Sequence, residues 1–285
     1  MRKRGIGHYI WVLRRLAKRK KRKAHFFLEI SDREADREIT QAIPAVVYQT
    51  WPNRQVDDEH FEGIERFRSL NPELAFTLFT DAEMHEYMND EWADHPIKLV
   101  YDKAVYPQIK TDIFRYCLIF DRGGYYVDFN KAIYANIRSF HLPESEILLS
   151  YDMWEPYILA PKPVARQLEQ PHKLISQWAF GFSPRHELLT SVIDRVLELA
   201  EVFDNRVVRS ARDAVWALSG PGAFTDAVWK RVSQRGAKDL VVTDVAFDGT
   251  GVTRIRGAHR RSVKNPYYGD GSNCVILGSN ESDKR

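Results

Sequence analysis

The stretch Pro107-Gln-Ile-Lys110-Thr-Asp112-Ile-Phe-Arg115-Tyr-Cys-Leu-Ile-Phe120-Asp-Arg-Gly123-Gly124-Tyr-Tyr-Val-Asp128-Phe-Asn130 decides how this chain is read. Ile109, Ile113, Tyr116, Ile119 and Phe120 recur at helical spacing behind a proline, which predicts a helix over residues 108–120. Asp112 and Arg115 are three apart and share a face of it. Gly123 and Gly124 supply the left-handed exit, and Tyr125-Tyr126-Val127 reads as a strand. That strand delivers Asp128 at its carboxyl end, where open α/β sheets bind ligands. With a strand period of two, Asp128 and Asn130 point the same way and Phe129 turns into the core. Two oxygen donors on one side suit a hard cation, Mg²⁺ or Mn²⁺, that keeps positions for water and a diphosphate. The ion would neutralise charge on a departing nucleoside diphosphate. The neighbouring carboxylate and guanidinium suit sugar hydroxyls and phosphate.

Working outward, residues 43–48 read as a strand and 57–70 as a helix with Phe61, Ile64, Phe67 and Leu70 on one face. A second strand is predicted at 74–79, followed by a helix from Ala82 with Asp81 as its N-cap. Short strands follow near 147–151 and 178–182, then a helix over 186–203 and another from about Ala223. Strand signals recur at 240–243, 252–256 and 274–277, while residues 29–41 read as a linker or short helix. Strand and helix alternating at this pitch predict one α/β domain, 29–285, built on a sheet flanked by helices.

Residues 1–28 form a separate basic segment. They hold eleven Lys and Arg side chains and no acid, so a chain of net charge +3 leaves a body of −8. Tyr9, Val12, Leu13, Leu16 and Ala17 repeat at helical spacing among these cations, the pattern of a helix lying on an anionic membrane surface. A solvated tail and a nucleic-acid arm are the alternatives. The acidic body argues against nucleic acid, having no basic groove to continue the contact. No apolar run is long enough to span a bilayer or to serve as a signal-peptide core. Cys117 and Cys274 give neither a disulfide framework nor metal-site spacing. The expected location is therefore cytoplasmic, on the inner face of a membrane.

The segments 110–116 and 120–130 closely resemble the DXD-containing sugar-binding region of glycosyltransferase family 32, and more distantly the clostridial glucosylating toxins. Ile43-Pro-Ala-Val-Val-Tyr-Gln-Thr-Trp51 is similar to that family's opening strand, and Asn71-Pro72 through Asp81 to its second. The resemblance runs from about residue 43 to 133. It implies a GT-A-like, Rossmann-related mixed sheet and a retaining, metal-dependent transfer of sugar from a UDP- or GDP-sugar to a glycan or glycolipid acceptor. Carried over residue by residue, Gln49, Thr50 and Trp51 fall on nucleotide contacts, with Trp51 a stacking partner for the base. Asp112 and Arg115 fall on donor-sugar contacts, and Asp128 on the first carboxylate of the DXD motif. Gly123 and Gly124 are counted with the donor-binding positions.

The sequence departs from the pattern at Asn130, where the family usually has Asp; an amide still offers a carbonyl oxygen but no charge. Gln177 falls where the family approaches its acceptor, usually with Asn. His259 falls where members often complete the metal or phosphate site. Ser219-Gly-Pro-Gly222 opens a helix whose free amides face a phosphate, or is only a tight turn. The rival to an enzyme is a non-catalytic sugar-binding or membrane-tethered protein, favoured by Asn130 and the cationic head. A two-metal phosphohydrolase is disfavoured, since no cluster of carboxylates is visible.

Overall fold

The computed structural model describes residues 27–155, 159–249 and 271–278. Its centre is the helix–strand pair that the sequence predicts. Helix α4 (Pro107–Arg122) starts on a proline and ends at Gly123, whose φ of 65° lies in the left-handed region; strand β5 (Gly124–Val127) follows at once.

Ahead of this pair come β1 (Phe27–Glu29), β2 (Val46–Thr50), β3 (Gln55–Asp57), α1 (Asp58–Ser69), β4 (Ala75–Phe79), α2 (Asp81–Asp90) and α3 (Pro96–Lys103). After it come β6 (Ile147–Ser150), α5 (Lys162–Ala165), β7 (Ala179–Phe182), α6 (Glu187–Phe203) and β8 (Val207–Ser210). The remaining elements are α7 (Ala211–Leu218), α8 (Pro221–Arg235), β9 (Val242–Thr243) and β10 (Ser272–Val275).

Six strands form one mixed sheet in the order β4-β2-β5-β7-β6-β9. Strand β2 pairs in parallel with β4 and β5, β6 pairs in parallel with β9, and β7 runs antiparallel to both of its neighbours. Every strand but β7 therefore points the same way, and their carboxyl ends share one rim. The pleat sorts side chains between two cores. Tyr48, Tyr126, Phe180 and Phe182 pack with α4, α6 and α8, whereas Val47, Tyr125, Val127 and Leu148 pack with Ile64 and Phe67 of α1. The expected mixed α/β sheet flanked by helices is what forms. Two small antiparallel pairs, β1 with β3 and β8 with β10, lie outside it.

Local expectations need several corrections. Strand β2 starts at Val46 rather than residue 43, because Pro44 has no N–H for a ladder and its carbonyl instead accepts from Val46 N at 2.8 Å. Asp81 is the first helical residue, not the cap; Thr80 caps α2 in a reciprocal box with Glu83. Residues 30–41 contain no helix, only an isolated bridge from Arg33 to Phe76. Helices α3 and α7 and strands β3 and β8 carry too few residues to show a period. The basic head up to residue 26, the strand signal at 252–256 and His259 lie outside the described residues. Among the described residues no helix is long and apolar enough to cross a membrane.

Candidate active site

At the rim, β5 ends at Val127 and the chain enters a tight turn, with Lys131 N donating to the Asp128 carbonyl at 2.9 Å. Asp128-Phe129-Asn130 is thus a turn and not the predicted strand extension. Phe129 does enter the core, at 2% exposure. The turn is fastened to the neighbouring chain by Asp128 N, which donates to the Trp178 carbonyl at 2.7 Å, continuing the β5–β7 register.

Asp112 and Arg115 sit one turn apart on the α4 face that looks toward Tyr126 of β5, each 5% exposed. The guanidinium lies over the Tyr126 ring, 4.3 Å from its centroid. Arg115 Nη2 is 3.2 Å from Asp112 Oδ1, and Nη1 is 3.1 Å from Asp128 Oδ1. Nη1 also donates to the Gln177 carbonyl at 2.9 Å and to Gln177 Oε1 at 2.5 Å. Gln177 Nε2 returns to Asp112 Oδ1 at 3.0 Å, and Ser219 Oγ donates to Asp112 Oδ2 at 2.9 Å. One guanidinium thus bridges a helix carboxylate and a strand-tip carboxylate, and residues 112, 115, 128 and 177 meet.

Burial pushes the Asp112 carboxyl up to about 6, against the pull of Arg115 and the hydrogen bonds from Gln177 and Ser219. Burial also opposes the Arg115 charge, but Tyr126, Asp128 and Asp112 outweigh it and hold the guanidinium above its ordinary range. Tyr116, which donates to the Ser219 carbonyl at 2.7 Å, is pushed well up by burial and stays a neutral phenol.

The other predicted residues divide by location. Gln49 is buried and donates to the Val127 carbonyl at 3.4 Å, while Thr50 Oγ1 pairs with Tyr126 OH at 2.8 Å. Both tie β2 to the tip of β5. Trp51 is partly exposed beside the turn, its ring centroid 5.3 Å from Phe129. Gly123 and Gly124 lie at the opposite, amino end of β5. A Cβ there would stand 2.7 Å from Pro184 Cδ at Gly123 and 2.8 Å from Val46 Cγ1 at Gly124, so both serve close packing away from the Asp128 rim. Gln177, expected to approach an acceptor, spends its amide on Arg115 and Asp112. Ser219 belongs by sequence to a phosphate-facing helix opening or a tight turn; nothing local announces it as a partner of Asp112, 107 residues away.

Residues 57–149 match the family model described as the glycosyltransferase sugar-binding region containing DXD motif. Over that third of its length the chain is similar to a DXD glycosyltransferase sugar-binding region. The matched segment runs from the cap of α1 past the turn at Asp128 into β6. The initiation-specific alpha-1,6-mannosyltransferase of Schizosaccharomyces pombe is 22% identical over 65% of this chain and 48% of its own length. Inositol phosphoceramide mannosyltransferase 3 of the same yeast is 26% identical over 53% of this chain and 36% of its own. A mannosyl phosphorylinositol ceramide synthase of Saccharomyces cerevisiae is 28% identical over 32% of this chain and 24% of its own. The chain spans less than half the length of these relatives. Among solved structures, the PaToxG glycosyltransferase aligns at 15% identity over 70% of this chain and 74% of that chain, with a TM-score of 0.49.

The turn can be tested for a divalent ion from its own atoms. Asp128 has one oxygen committed to Arg115, and its side chain is 26% exposed. Asn130 Oδ1 is buried without a hydrogen-bond partner. A buried acceptor left unmatched costs about 1–3 kcal/mol, and a cation would satisfy it. One carboxylate and one amide oxygen fit a hard ion that takes its remaining ligands from water and phosphate. Among the described residues no three His, Cys, Asp or Glu side chains group into a further metal site.

Proposed function

We propose that this chain is a metal-dependent, retaining glycosyltransferase that moves a hexosyl group from a UDP- or GDP-sugar to a glycan or glycolipid acceptor. The observation that carries the reading is Arg115, buried and shared between Asp112 on a helix and Asp128 at a strand tip. A fixed cation beside a partly exposed carboxylate at a sheet rim suits a diphosphate and its counter-ion. Trp51 lies at the same rim, at the end of β2, and is the candidate for the base. Asp128 and Asn130 would hold Mn²⁺ or Mg²⁺, which, when bound, offsets charge on the leaving diphosphate. Asp112 and Gln177 hold Arg115 in place and Ser219 holds Asp112, so a donor sugar would meet the more exposed Asp128 first. The mannosyltransferase relatives make a mannosyl donor and an inositol-phosphoceramide type of acceptor the first to try. The basic head suits work at an anionic cytoplasmic membrane face.

Purified protein incubated with UDP- and GDP-sugars and Mn²⁺ is expected to release nucleoside diphosphate with at least one donor. Release should be abolished by chelator and by Asp128→Ala. A second reading, a sugar-binding protein without catalysis, draws on Asn130 and on the full engagement of Asp112 within the protein. Binding of donor without release from any of them would favour it.

A further inference from the structure

Asp128, Phe129 and Asn130 need something to hold them besides their two backbone hydrogen bonds, and the structure supplies it from α1. His60 lies in the first turn of that helix at 1% exposure, its backbone N–H capped by Asp57 Oδ1 at 2.9 Å. Its Nε2 sits 2.7 Å from the Phe129 carbonyl. A carbonyl only accepts, so Nε2 carries the proton and donates. The imidazole also packs on the Phe129 ring at 4.8 Å between centroids and meets Trp51 edge-on at 5.0 Å. The Trp51 backbone is in turn pinned to the sheet, its main-chain N–H donating to the Phe79 carbonyl at 3.0 Å. One ring therefore touches the candidate base contact on one side and, on the other, the middle residue of the candidate metal turn.

We propose that His60 is a positioning residue: its hydrogen bond to the Phe129 carbonyl fixes the turn so that Asp128 and Asn130 present their oxygens together to a metal–diphosphate. This rests on the transferase reading of the same rim. The physical reason is the short reach of the turn. Phe129 is flanked directly by both candidate ligands, so a rotation of its peptide group moves both of them. Octahedral ions at about 2.1 Å tolerate little displacement.

The test measures binding. Calorimetry of UDP and of GDP, each with and without Mn²⁺, gives the factor by which metal strengthens nucleotide affinity. His60→Phe keeps a ring against Phe129 and Trp51 but cannot donate, whereas His60→Gln restores a donor near the Nε2 position. Loss of one buried hydrogen bond predicts that the metal enhancement falls about five- to tenfold in His60→Phe. Metal-free affinity should barely move, and His60→Gln should recover most of the enhancement. Leu189→Ala, a remote core change in α6, controls for simple loss of stability through its thermal midpoint. An enhancement that is unchanged in His60→Phe, not rescued in His60→Gln, or equally lost in Leu189→Ala would overturn the role of His60 alone. A wild-type protein in which Mn²⁺ strengthens neither diphosphate would overturn the transferase reading together with this one.

Discussion

Asp112 shows how a residue can be placed by one rule and tuned by another. Its position comes from helical spacing to Arg115, but its protonation is set by burial, which raises its pKa to about 6. The folded chain thus binds this proton more tightly than the unfolded chain does, so the carboxylate weakens the fold as pH rises through about 6 and the penalty eases below it. Activity should move the other way, because the ionised form holds Arg115 toward Asp128. A pH–rate profile is expected to lose activity on the acid side near pH 6, and Asp112→Asn should remove that limb while lowering the rate. Asn130 makes the complementary prediction. Restoring the charge in Asn130→Asp should tighten Mn²⁺ binding in the presence of a nucleoside diphosphate about tenfold, the scale of one extra charge at roughly 1.4 kcal/mol. Equal affinity by calorimetry would remove Asn130 from the metal site.

At the scale of elements, caps and junctions decide what periodicity cannot. Helix α6 begins with His186 as its N-cap, the imidazole Nδ1 accepting from Leu188 N at 3.1 Å. Burial holds this imidazole below its ordinary pKa. The unfolded chain therefore takes up the proton more readily, and the contribution of the cap is lost as pH falls through the ordinary histidine range. Protonation also removes the acceptor and sets a cation at the positive end of the helix dipole. Denaturant unfolding between about pH 7.5 and 5.5 should show a smaller loss of stability in His186→Asn, which caps without titrating. The α4–β5 junction is stricter. Gly124 has a φ of 99°, and a Cβ there would stand 2.8 Å from Val46 Cγ1. Gly124→Ala should destabilise by about 2 kcal/mol or more, read as a lower denaturation midpoint at unchanged slope.

For the whole molecule the unequal distribution of charge is the testable property. Eleven cations in residues 1–28 against a body of −8 predict that the full chain sediments with vesicles containing anionic lipid. That binding should weaken steeply with salt, as screened attraction does. Equal pelleting on neutral vesicles would remove the electrostatic account. The sheet arranges the other global property, a single rim. With β7 alone reversed, the carboxyl ends of β2 and β5 lie side by side, which brings Trp51 and Asp128 to one edge.

Much of this was legible locally. Helix α4, the glycine exit, β5 and α6 follow from apolar spacing and from residues with fixed backbone preferences, because short-range sterics and hydrogen bonding dictate them. The meeting of Asp112, Arg115 and Asp128 was legible for the same reason, since one helix, one turn and one short strand connect them. The partners that saturate Asp112 were not, for Gln177 and Ser219 come from segments 65 and 107 residues away. The form of the Asp128 turn, the grip of His60 on Phe129 and the withdrawal of Gln49 and Thr50 into the sheet were equally hidden. Only the folded sheet sets which side chains share a buried space, and burial then decides which polar atoms pair with each other and which remain for a ligand.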